Sequence, residues 1–167
     1  TAAVDERVKA VAPIMGISTW AATVDRNAQR LHCDCMFPIN LHQHDPIHQG
    51  ALIAPRPLLV AHGRKDALFP VPGYEEFSEK MTALYASYGK PDAFRNVVVE
   101  TGHADSDFLR EQVLRWFDRY LRETPERPLE MAYQNADPAS LSVFNGKPPA
   151  DALNYRFHEL FTAAKQP

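Results

Sequence analysis

Much of what would mark a membrane-spanning, nucleic-acid-binding or disulfide-stapled protein is missing from these 167 residues. No run approaches the roughly 20 apolar residues that a bilayer span needs. Thr1 to Lys9 has neither the basic start nor the apolar stretch of a signal peptide. Charge of one sign is not concentrated: 18 Lys and Arg stand against 21 Asp and Glu, a net charge of -3. The basic residues are scattered, so a nucleic-acid partner has no electrostatic footprint. Only two cysteines occur, Cys33 and Cys35, and a bridge between positions so close would be strained. A disulfide framework is thereby excluded, and the redox compartment is left open. There is no internal repeat and no low-complexity tract.

What is present is the composition of a folded domain, 45% apolar and 23% charged, enough for a real core in one ordinary domain. The chain lacks an initiator methionine, and Thr1 to Arg7 reads as the tail of a helix already under way. Upstream chain is therefore expected. Val8 to Met15, closed by Gly16, is a short apolar run that suits a strand buried on both faces. From Ile17 to Gly50 the pattern is irregular and rich in histidine, an excursion with at most short helices. Leu58 to Ala61 reads as a buried strand, with Pro55 and Pro57 confined to its entrance. Tyr74, Phe77, Met81, Leu84, Tyr85 and Tyr88 recur at helical spacing, a helix ended by Gly89 and Pro91. Val97 to Val99 is the next strand. Asp105 or Ser106 would cap a helix whose Phe108, Leu109, Val113, Leu114, Phe117, Tyr120 and Leu121 form one stripe.

Strand, helix, strand, helix at these lengths is an α/β fold with a parallel sheet flanked by helices. It occupies 1–121. After Leu121 the prolines 125, 128, 138, 148 and 149 break up the pattern. The part 122–167 is expected to be a mostly irregular, Pro-rich linker or extension with a terminal helix from about Asp151, carrying Leu153, Phe157, Leu160 and Phe161.

Consecutive strands of a right-handed parallel unit end on the same sheet edge, so the loops after them face one another. Asp66 follows the first of these strand ends and His103 the second. A carboxylate that accepts a hydrogen bond from one imidazole nitrogen fixes the tautomer and leaves the other nitrogen to take a proton from a hydroxyl. The bland reading is a turn-forming Asp and a solvated loop His. Acid then base, each just past a buried parallel strand, favours a catalytic pair.

The residues around this pair carry a resemblance. The run Pro55-Arg56-Pro57-Leu58-Leu59-Val60-Ala61-His62-Gly63-Arg64-Lys65-Asp66-Ala67-Leu68-Phe69-Pro70 resembles the strand and acid loop of α/β-hydrolases. Gly102-His103-Ala104-Asp105-Ser106 resembles their histidine loop. His32-Cys33-Asp34-Cys35-Met36 and the opening Ala2 to Val11 are similar to stretches of the acetyl xylan esterase and dienelactone-hydrolase-like group, near the prolyl oligopeptidase family. The resemblance covers about residues 2 to 121. It implies the C-terminal part of an α/β-hydrolase fold with Asp66 and His103 as catalytic acid and base and no cofactor. It also implies a serine-type carboxylic ester hydrolase that deacetylates a carbohydrate, so the partners expected are a small ester or acylated carbohydrate and the missing N-terminal part of the same domain. A secreted or periplasmic site would be natural for such an esterase, though no residue here states it.

The departure from that pattern is the absence of Gly-x-Ser-x-Gly, the turn that strains a serine into its reactive position. Gly16-Ile17-Ser18-Thr19-Trp20 comes nearest but has Trp20 at the second glycine. The chain alone is therefore expected to be inactive. A non-catalytic α/β binding or scaffold module and a serine peptidase of the prolyl oligopeptidase type are the alternatives. His32, Cys33, Cys35, His42, His44, Asp45 and His48 collect metal donors, but Cys-x-Cys is tighter than the usual spacing, and no metal is expected. His62 is assigned a structural or supporting role, and Asp105 is the rival of Asp66.

Overall fold

At the centre of the computed structural model, which describes residues 1–32, 42–122, 136–144 and 146–156, the apolar run after Pro57 forms strand β1 (Leu58–Gly63), buried at every position. Strand β2 (Phe94–Val99) pairs with it in parallel, Leu58 beside Phe94 and Gly63 beside Val99. On the other side of β1 runs Val11 to Met15. There the Val11 N–H donates to Pro57 O at 2.9 Å, Leu59 N–H to Val11 O at 2.9 Å, Ala61 N–H to Pro13 O at 3.2 Å and Met15 N–H to Ala61 O at 2.8 Å. The two bridges, Val11 with Leu58 and Ile14 with Ala61, keep one register. The rung missing between them needs an N–H from residue 13, and Pro13 has none. Val11 to Met15 thus lies in the sheet direction as a third parallel line, interrupted at its proline, but of the run 8–15 only Ala10 and Met15 are buried, short of a strand buried on both faces.

Side chains alternate across a strand, and in β1 both faces are covered. Leu58 and Val60 enter one core with Ile53, Tyr74, Phe77, Met81 and Tyr85. Leu59 and Ala61 enter the other with Met15, Val97, Leu109 and Trp116. Helix α3 (Val71–Ser87) roofs the first face and helix α4 (Asp107–Leu121) the second. Burying each such leucine or valine contributes about 1.5–3 kcal/mol, which is why the layer is organised around β1. By contrast β2 is a partly exposed edge, with only Val97 of its residues buried.

The stretch between the first apolar run and β1 holds short helices, as its irregular, histidine-rich pattern allows. Helix α1 (Trp20–Asp25) starts at Thr19, and helix α2 (Pro46–Ile53) continues past Gly50 to Ile53. Asp45 organises both. Its Oδ1 accepts from Ile47 N–H at 2.9 Å, its Oδ2 accepts from Trp20 N–H at 2.9 Å, and its own N–H donates to His48 Nδ1 at 2.9 Å. Ser, Thr or Asp before Pro at the first helical position is a start signal that satisfies otherwise orphaned N–H groups. Gly50 lets α2 approach α3 closely, since a Cβ there would stand 2.8 Å from Met81 Sδ and from the Phe77 ring.

Arg56 fastens the opening residues to this frame. Its Nε donates to Ile53 O, Nη1 to Asp5 O and Val8 O at 3.1 and 2.8 Å, and Nη2 to Ala2 O and Leu52 O at 2.7 and 3.2 Å. A guanidinium has five N–H donors in a fixed fork, and here each meets a backbone carbonyl. Tyr85 adds a bond from its hydroxyl to Arg56 O at 2.6 Å. An ammonium cannot reproduce that fork. Arg56→Lys should therefore cost about 2–3 kcal/mol in urea unfolding, from charge-assisted bonds lost to backbone carbonyls. A loss under about 0.5 kcal/mol, the scale of an ordinary surface substitution, would remove this role for Arg56.

The chain divides into two units, Thr1–Met131 and Ala132–Pro167. In the second, a 3-10 turn at Pro138–Leu141 is capped by Asp137, whose side chain accepts from Ala139 N–H. Its Leu141, Val143, Phe144, Leu153 and Tyr155 are all more than half exposed. Most of the terminal helix expected from Asp151, including Phe157, Leu160 and Phe161, lies outside the described residues, as do Pro125 and Pro128.

Candidate active site

The turn after β1 and the loop after β2 are stitched to one another. Arg64 N–H donates to Val99 O at 2.8 Å and Lys65 N–H to Thr101 O at 2.9 Å. Gly63 makes the stitch possible by lacking a side chain: a Cβ would stand 2.5 Å from Thr101 O and 2.6 Å from Gly102 O. On this base Asp66 and His103 meet, with His103 Nδ1 and Asp66 Oδ2 2.9 Å apart. An ionised carboxylate only accepts, so Nδ1 carries the proton and Nε2 is left with its lone pair.

The two partners differ in environment. The Asp66 side chain is fully buried and that of His103 is 47% exposed. Burial of a carboxylate demands donors, and the acid loop provides them: Oδ1 accepts from Leu68 N–H at 2.8 Å and from Phe69 N–H at 3.4 Å. The histidine loop is supported from the first apolar run, where Met15, itself in a left-handed conformation with φ 49°, receives a bond from Ala104 N–H on its sulfur at 3.1 Å. Beside the imidazole lies an apolar groove of about 500 Å³ lined by Ile14, Met15, Leu109, Val113 and Leu114 together with His103.

The other candidates go elsewhere. Asp105 is exposed and binds Arg110, Oδ2 to Nε at 2.8 Å, while its Oδ1 accepts from Ser106 N–H. The cap of α4 is Ser106, whose hydroxyl accepts from Leu109 N–H at 3.3 Å. Ser18 is buried and donates its hydroxyl to Pro70 O at 3.1 Å, so it acts as a brace between the opening segment and the acid loop. Tyr74, Phe77 and Tyr85 are core, whereas Tyr88 is half exposed. Of the donor-rich stretch, Cys33 and Cys35 lie outside the described residues. Among the described residues no three His, Cys, Asp or Glu side chains are arranged to hold a metal ion, and no described helix is long and apolar enough to cross a membrane.

His62 lies in surroundings unlike water. It is buried, its ring stacks on Tyr74 at 4.1 Å and 16°, and among the described residues neither ring nitrogen has a hydrogen-bond partner. Burial lowers its pKa from the ordinary 6.5, opposed by the Asp66 charge, with Arg64 reinforcing and Glu75 opposing. The same burial pushes the Tyr74 phenol up to about 12. A histidine whose folded value lies below its unfolded value is bound by protons more readily once unfolded. Its contribution to stability is complete above about pH 6.5 and declines as pH falls through that value. His62→Phe, which keeps the ring and removes both orphaned nitrogens, should abolish that part of the decline and match or exceed the parent at pH 5. Equal pH dependence in both proteins, by urea unfolding between pH 5 and 8, would show that His62 contributes none of it.

Two comparisons place this architecture among known proteins, and no family model matches the chain. YtaP of Bacillus subtilis (strain 168), named as a hydrolase, is 28% identical over 122 residues, which are 72% of this chain and 41% of that protein. A glucuronoyl esterase of carbohydrate esterase family 15 from Caldicellulosiruptor kristjansonii is similar in structure, with a TM-score of 0.58 over 83% of this chain and 44% of its own at 20% identity. The fold is thus mixed α/β, a parallel sheet flanked by helices, and is similar to that of the glucuronoyl esterase. The chain spans less than half the length of either protein.

Proposed function

We propose that this chain supplies the acid and base of a serine-type carboxylic ester hydrolase whose nucleophilic serine lies outside these residues. The observation that carries the reading is the pairing of a fully buried Asp66 carboxylate with Nδ1 of a half-exposed His103 at 2.9 Å. In that arrangement Nε2 takes the proton of an incoming serine hydroxyl as oxygen attacks the ester carbonyl, and Asp66 stabilises the imidazolium. The imidazolium then returns the proton to the departing alcohol. Water, deprotonated by the same nitrogen, releases the acid from the acyl-enzyme. The groove beside His103 is lined mainly by apolar side chains, which suits a small acyl group. An acetylated carbohydrate is the substrate class we favour, in keeping with the acetyl-xylan-esterase-like loops and with a carbohydrate esterase as structural neighbour.

The test is hydrolysis of 4-nitrophenyl acetate and of acetylated xylan by the full-length protein. Turnover of both that needs His103 supports the reading. Ester turnover by residues 1–167 alone would overturn the external nucleophile, and a full-length protein without turnover would leave a binding or scaffold module as the better account.

A further inference from the structure

Asp66 holds His103 by one nitrogen, which leaves the ring free to pivot about that bond. A single hydrogen bond fixes one point of a plane. The His103 side chain is 47% exposed, so packing does not confine it all round. The second constraint is aromatic. The ring of Phe69 lies 5.8 Å from that of His103, centroid to centroid, with the planes 22° apart, an offset stack. Phe69 is in turn braced by a second ring. His32 meets it edge-on at 4.9 Å and 77°, and His32 Nε2 donates to Leu68 O at 2.8 Å. A carbonyl only accepts, so His32 carries its proton on Nε2 and is tied to the backbone next to the ring it supports.

These contacts share one origin. The Asp66 carboxylate that accepts from His103 on Oδ2 also holds Leu68 and Phe69 N–H on Oδ1. One buried group therefore sets the hydrogen bond to the imidazole and the position of the phenyl face beside it. We propose that Phe69 is a positioning residue for His103, an aromatic clamp that keeps Nε2 oriented during proton transfer, and that His32 is its brace. The inference rests on His103 being the base of the proposed hydrolase. The clamp acts on the orientation of the imidazole, so its removal lowers turnover without weakening substrate binding.

The test uses the full-length protein with Phe69→Leu, Phe69→Tyr and His32→Leu. Phe69→Leu keeps apolar bulk and loses the flat face; its kcat should fall about five- to tenfold, the scale of an aromatic pair, with KM within twofold. Phe69→Tyr restores kcat to within twofold. His32→Leu, at a half-buried site, lowers kcat about two- to threefold in the same pattern. Independently of activity, the His103 ring protons in the NMR spectrum should lose the shift imposed by the neighbouring phenyl in Phe69→Leu and keep it in Phe69→Tyr. An active protein whose Phe69→Leu and His32→Leu variants keep the parent kcat, or unmoved His103 resonances in Phe69→Leu, overturns the clamp. Should Phe69→Leu fail to fold, His32→Leu decides by the same kcat and resonance criteria. If the parent protein has no esterase activity, the hydrolase reading fails while the NMR arm still decides whether Phe69 orders the ring.

Discussion

His103→Ala in the full-length protein should lower kcat for 4-nitrophenyl acetate by roughly three to five orders of magnitude, the scale seen when a triad base is removed. KM should change by no more than a few-fold, because the imidazole acts on the hydroxyl and its proton. Asp66→Asn should fall in the same range for a different reason. The amide presents an N–H or a weaker acceptor to His103 Nδ1, so the tautomer that leaves a lone pair on Nε2 is no longer favoured. The amide oxygen of that variant would still accept from Leu68 and Phe69 N–H, so the acid loop should stay folded. Asp105→Asn is the control. It removes an exposed pair with Arg110, worth no more than about 1 kcal/mol, and should leave kcat within twofold. Full activity in His103→Ala would end the assignment, and a large loss in Asp105→Asn would transfer the orienting role from Asp66.

What could be read from the sequence was whatever depends on neighbours along the chain. Leu58 to Ala61 announces a buried strand because each residue in the run is apolar, and the two cores form on its two faces. The helical stripe from Tyr74 and that from Phe108 come from spacing alone, and α3 and α4 lie where they put them. The meeting of Asp66 and His103 was legible one level higher, from the handedness of a strand-helix-strand unit, which brings two loop residues to one edge. The start of α2 was also legible in principle: Asp45-Pro46 is a cap followed by a first-turn proline, though the surrounding histidines mask it.

The remainder depends on contacts between distant segments. Nothing adjacent to Arg56 says that its five donors will meet carbonyls from Ala2 to Ile53. The choice of Ser106 over Asp105 as cap turns on a local geometry in which Arg110 claims the carboxylate. Likewise the stack of His32, Phe69 and His103 assembles three rings from three loops. Local pattern is therefore read from the sequence, while the packing between distant segments is not.

Gly63 shows how strongly that packing should bear on the site, and Gly63→Ala carries the second large effect. Space rather than backbone freedom is at issue there. The added Cβ would stand 2.5 and 2.6 Å from two backbone oxygens, Thr101 O and Gly102 O, distances that real Cβ atoms do not show. A carbonyl cannot swing aside as the end of a side chain can, so the histidine loop must lift as a body. Lifting it strains the bonds from Arg64 and Lys65 N–H that join the two loops. Overpacking of this kind together with two weakened backbone bonds should cost about 3 kcal/mol in urea unfolding. The same displacement draws His103 away from Asp66, and an error near 1 Å in a catalytic pair lowers turnover on the order of a hundredfold. Gly89→Ala provides the contrast: its Cβ meets open space, but φ is 64°, so it should cost about 1 kcal/mol through the backbone and leave kcat unchanged. Gly63→Ala with parent stability and parent kcat would mean that the two loops are not held in contact by the crossing at Gly63. The Asp66–His103 geometry would then need another support.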